Sequence, residues 1–78
     1  MANKLTNDQL EFLVSRLLER ARESVDEYNE STGEDKIFES GRKMAYFEML
    51  DILKKELNMR DQDLAKYGLD FDLLKEIA

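Results

Sequence analysis

Between Thr6 and Asn29 the apolar residues return every three or four positions, and no residue in that stretch breaks a helix. Leu10, Leu13, Val14, Leu17, Leu18, Ala21, Val25 and Tyr28 share one arc of roughly 140° on a helical wheel. Glu11, Ser15, Glu19, Arg22 and Asp26 fall opposite. This period demands a helix with one buried face. Its start is marked as well. Thr6 and Gln9 have the spacing of a capping box, and Leu5 and Leu10 that of a hydrophobic staple. The first helix is therefore expected over about residues 6–31. The whole chain has no proline and only three glycines, so the fold class is all-α.

Asn29-Glu30-Ser31-Thr32-Gly33 is the first break, with Gly33 suited to the left-handed conformation that ends a helix. A connection this short makes the second helix, about residues 34–58, antiparallel to the first. That second helix is apolar round too much of its girth. Leu50, Leu57, Tyr46 and Leu53 form one stripe. Met49, Phe38, Ala45, Ile52 and Gly41 continue it through roughly half the circumference. One neighbouring helix cannot cover that arc. Helix 2 must meet helix 1 and something else, either the C-terminal segment or another chain. Gly41 with Ala45 one turn on reads as a notch for a close helix crossing, with a local kink as the alternative.

Asn58-Met59-Arg60 ends helix 2, and two short helices are expected beyond it. The first, about 61–67, is capped by Asp61 and closed by Gly68, with Leu69 folding back on Leu64. The second, about 70–77, is capped by Asp70 and carries Phe71, Leu73, Leu74 and Ile77. Such short helices hold their shape only when docked. The open face of helix 2 is their expected site. Residues 1–78 thus form a single helical domain, a two-helix hairpin with a folded-back tail.

A core of this size leaves little net stability. The chain has no Cys for disulfides and no His for imidazole-bound metal. Good helix packing and oligomerisation remain as supports, and because helix 2 has more apolar arc than helix 1 can bury, a homodimer forming a helical bundle is expected. Surplus apolar residues supply the candidate interface: Phe12, Phe38, Gly41, Met44, Ala45, Phe47, Met49 and Ile52. Of these, Phe12 points away from the apolar arc of helix 1. Phe47 sits among Lys43, Lys54 and Asp51, facing another chain or the tail.

The net charge of −6 disfavours nucleic acid and anionic membranes as direct partners, because both require a positive field. Residues 23–39 alone hold Glu23, Asp26, Glu27, Glu30, Glu34, Asp35 and Glu39 against Lys36. This run is either solvated surface or a dock for a basic partner. No apolar run approaches the ~20 residues of a membrane span. The N-terminus lacks the basic and apolar regions of a signal peptide. The expected location is the cytoplasm.

Three constellations suggest chemistry, and each falls short. Asp63-Leu64-Ala65-Lys66-Tyr67-Gly68-Leu69 resembles a helix-turn-helix, but its Ala-to-Gly spacing is one residue short. Asp70, Asp72 and Glu76 would also face the phosphates. Asp61 and Asp63 have the spacing of an EF-hand loop, but Ala65 stands where a third ligand belongs. Glu27-x-x-Glu30 and Glu48-x-x-Asp51 resemble the Mg²⁺-holding acidic pairs of the all-α nucleotide pyrophosphohydrolases. In this hairpin Glu30 lies opposite about Lys36. Glu48 is then about 18 Å further along at 1.5 Å per residue, too far for one chain.

The expected function is a non-enzymatic protein–protein interaction module or small regulator, with no cofactor. Two alternatives stand beside it. One is an Mg²⁺-dependent nucleotide pyrophosphohydrolase-like enzyme assembled across a dimer. The other is an acidic protein that occupies a nucleic-acid-binding site on its partner.

Overall fold

The computed structural model describes residues 5–78, so the signal-peptide reading falls partly outside the described residues. Two long helices, α1 (Asn7–Glu30) and α2 (Gly33–Met59), are followed by a 3₁₀ turn (Leu64–Tyr67) and a single-turn helix, α3 (Leu73–Glu76). No strand occurs among the described residues. The all-α hairpin is as expected.

The start of α1 follows its sequence signature. The Gln9 amide donates to Thr6 Oγ1 at 3.1 Å, and the Thr6 amide donates to Gln9 Oε1 at 2.8 Å. The far end departs from expectation. Ser31 closes α1, its hydroxyl donating to the Tyr28 carbonyl at 2.9 Å. Gly33 does take a left-handed conformation, φ 61°, but at the head of α2. The serine hydroxyl satisfies the helix end, and the glycine turns the chain into the next helix.

The core gathers Val14, Leu18 and Ala21 of α1, Leu50 and Leu57 of α2, and Tyr67, Leu69, Leu73 and Ile77 of the tail. Ser24 is fully buried among them, its hydroxyl donating to the Ala21 carbonyl at 2.6 Å. That internal bond leaves the polar atom satisfied. Ala21 and Ser24 are therefore the small buried side chains of the helix pair. The hairpin itself does not make the close crossing expected at Gly41 and Ala45. A Cβ at Gly41 would meet nothing within 4 Å, and Ala45 is exposed. Gly41 lies about 180° round α2 from Leu50, on the side away from the core.

Nearer the turn, charges and an aromatic ring clasp the hairpin. Arg42 pairs with both Glu27 of α1 and Glu39 of its own helix. The Glu39 hydrogen bond, with help from Glu27 and against partial desolvation, raises the Arg42 guanidinium above its ordinary value, so this clasp stays charged. Lys43 and Lys36 sit over the Tyr28 ring at 4.0 and 4.5 Å.

At its other end α2 closes on Asp61, which takes a left-handed φ of 56°. The Gln62 amide reaches back to the Leu57 carbonyl at 2.9 Å, and the Asp61 amide to Asn58 at 3.1 Å. This is a Schellman ending with aspartate where glycine is favoured. Asp61 is thereby spent on α2. Asp63 caps the 3₁₀ turn instead, accepting from the Ala65 amide at 3.1 Å. Likewise Asp72, not Asp70, caps α3, accepting from Lys75 at 3.2 Å. Both short helices are shorter than expected. Replacing Asp61 with Gly removes the strain of a left-handed residue bearing a Cβ. Asp61→Gly should raise stability by about 1 kcal/mol, read as a higher urea midpoint.

The second Schellman ending is as expected: Gly68 has φ 70° and the Leu69 amide bonds the Leu64 carbonyl at 3.0 Å. Leu69, Leu73 and Ile77 then sink into the hairpin. Arg22 of α1 lies 5.0 Å from the Phe71 ring, and Lys54 of α2 donates to the Phe71 carbonyl. The tail thus lies on the side of the hairpin that bears Phe47 and Lys54. The sequence reading expected the tail on the Phe38–Ile52 face, and the structure corrects this: that face is left uncovered. Phe47 lies about 180° from Phe38 round α2, so the tail and that face are on opposite sides.

Candidate interaction surface

With the tail docked elsewhere, the outer face of α2 stays open. Phe38 is 68% exposed, Ile52 62% and Met49 43%. Gly41, Met44 and Ala45 are exposed beside them. Six of the eight expected interface residues therefore share one continuous side of one helix. Ile37 and Met59 are exposed as well and extend the stripe at both ends. Their signal was present in the spacing: Phe38, Ala45, Ile52 and Met59 are seven residues apart, as are Ile37 and Met44. Met59 was hidden by its place in the break after helix 2.

The remaining two residues separate from this surface. Phe47 is half-buried and packs against the core beneath the tail. Together with Asp51, Lys54, Leu64, Asp72, Leu73 and Leu74 it lines a groove of about 520 Å³ between α2 and α3. Phe12 is exposed near the start of α1, where it lines a shallow hollow with Leu5, Asp8, Gln9 and Leu13. Leu13, placed on the buried arc by its period, emerges at the edge of that arc and is 45% exposed.

The open face of α2 carries the exposed Glu48 between Ala45 and Ile52, and further charges at its ends. Glu34 and Asp35 stand at its N-terminal end, and Lys55 and Arg60 near its C-terminal end. Lys55 pairs with Asp51 at 2.8 Å, and Arg60 with Glu56 at 3.8 Å. These pairs are solvent-facing and contribute little to stability. Of the acidic run 23–39, Glu27 and Glu39 are engaged by Arg42, and Glu23 lies 3.4 Å from Arg20. Asp26, Glu30, Glu34 and Asp35 make no ion pair among the described residues.

Of the acidic pairs weighed for Mg²⁺, Glu27 is held by Arg42 and Asp51 by Lys55. No three Asp, Glu, His or Cys side chains converge on a metal position among the described residues. None of the described helices is long and apolar enough to cross a membrane. No protein-family model matches this chain, and no curated protein or solved structure matches it either.

Proposed function

We propose that this chain is a small cytosolic, non-enzymatic protein–protein interaction module whose first partner is a second copy of itself. The observation that carries the reading is the open face of α2. A run of Phe38, Met49 and Ile52 left in water is the signature of a surface made to be covered, since single exposed apolar side chains are ordinary but a continuous stripe is not. Phe and Met are also the residue types enriched at protein interfaces. A small core adds a second reason, because burying this stripe between two copies enlarges the apolar volume that each chain lacks alone.

Two further facts favour binding over catalysis and over nucleic acid. No His or Cys supplies a near-neutral base or a thiolate nucleophile. The net charge of −6 repels phosphate backbones. Sedimentation equilibrium at micromolar concentration tests the reading. Twice the 9.2 kDa of one chain is expected. A folded species of single-chain mass would overturn it.

A further inference from the structure

We propose that the outer face of α2 takes a basic amphipathic helix of another protein, in exchange for a second copy. This goes beyond the reading above, because it states the chemistry of a partner that competes for the same surface. Charge decides it. Within about 60° of Ile52 round α2, the charged residues are Glu34, Glu48, Glu56 and Lys55. Glu34 precedes Ile52 by about five whole turns and stands in line with it. Glu48 and Glu56 stand about 40° to either side. All three glutamates are exposed. Glu34 and Glu48 make no ion pair among the described residues, and Glu56 has Arg60 at 3.8 Å. Lys55, the cation of this face, is already held by Asp51 at 2.8 Å.

A second copy brings the same acidic face to the contact, so like charge opposes self-association. A helix with Lys or Arg along both borders of an apolar stripe meets no such opposition. Glu48 and Glu56 occupy opposite flanks of the stripe on α2. Those are the places from which charges choose the partner when two helices pair. An acidic amphipathic helix is rejected by the same residues.

The apolar part of the face suits a helix too. Phe38 and Ile52 lie about 21 Å apart along α2 and are its large contacts. Between them a Cβ at Gly41 would meet nothing within 4 Å, and Ala45 is small, so a partner helix can come close. Met44 and Met49 are exposed and flexible, able to fit side chains of several shapes. A helix of ~20 residues, ~30 Å long, spans this length and lays its apolar side on it.

Three labelled peptides of ~20 residues test this on the full-length chain, with binding read by fluorescence anisotropy. The first has leucine at helical spacing and lysine elsewhere. The second carries glutamate for every lysine. The third has the composition of the first in an order that gives no apolar stripe. The first should bind, and the other two at least about tenfold more weakly. Glu34→Gln with Glu48→Gln should weaken the first about tenfold. Asp26→Asn with Glu30→Gln removes the same charge from α1 and should change binding less than about twofold. All these positions are exposed, and circular dichroism confirms retained helix. Sedimentation of the mixture should give one peptide on one chain.

Equal binding of the first and third peptides, or equal loss in the two double variants, overturns the proposal, because attraction then follows net charge alone. Failure of the first peptide to bind also overturns it. So does a peptide bound to a chain that keeps its doubled mass, since the second copy then holds the face. A free chain of single mass removes the earlier reading only, and peptide binding still decides this one.

Discussion

Truncating Leu50 to Ala should cost about 3–4 kcal/mol, within the 2–5 kcal/mol typical of buried leucines, and with it much of the folded state. Leu50 is fully buried at the centre of the cluster that joins α1, α2 and the tail. Its neighbours are fixed on three elements, so they cannot collapse freely into the space it leaves. A chain of this length holds only roughly 4–12 kcal/mol in all, at ~0.05–0.15 kcal/mol per residue. The expected result is a large fall in the urea midpoint with little change in the slope of the transition. Wild type and variant must be compared at one protein concentration, because the proposed self-association would raise apparent stability by mass action. An unchanged midpoint would mean that α2 does not present this face to α1.

Two positions further on, Ile52→Glu should have the opposite profile. The fold should survive and the dimer should not. Ile52 is 62% exposed, and glutamate is a good helix former, so the single chain loses almost nothing. Across the proposed contact the same change places an unpaired carboxylate against apolar side chains, once in each copy. Burying a charge without a partner is strongly unfavourable. Even ~4 kcal/mol over the two sites weakens association about 1000-fold. Sedimentation should then give single-chain mass at micromolar concentration, where the proposal expects twice that mass for the unaltered protein, with the helical circular dichroism signal preserved. A variant that stays dimeric would show that this side of α2 is not where the copies meet.

The two long helices were legible because their signals are local. Thr6 and Gln9 announce the start of α1, and the apolar period carries it to Tyr28. The excess of apolar residues on α2 was also readable, and it marked the Phe38–Ile52 side. The placement of the tail was not readable. Phe47 sits among Lys43, Lys54 and Asp51, which makes its side of α2 look wet. Lysine stems cover apolar surface while their ends stay polar, and the Lys54 ammonium finds the Phe71 carbonyl. A sequence pattern weighs the charge and misses the stem.

The capping aspartates failed for another reason. Asp61 and Asp63, like Asp70 and Asp72, are two residues apart, and either member of each pair can cap a helix. Burial of Leu69, Leu73 and Ile77 chooses between them, and that is a tertiary choice. Gly41 lies apart from the hairpin's own crossing. Lacking a Cβ, it resembles a crossing point, but the close packing of the hairpin is made by Ala21 and Ser24 on the other helix.

The seven-residue interval that carries Phe38, Ala45, Ile52 and Met59 has a consequence for shape. A straight α-helix drifts by ~20° for each such interval, so over three of them the line slants by about 60°. Two rigid rods laid along it would touch in the middle and splay at their ends. To keep contact from Phe38 to Met59, any long helix laid on this line must wind around it with a gentle left-handed twist.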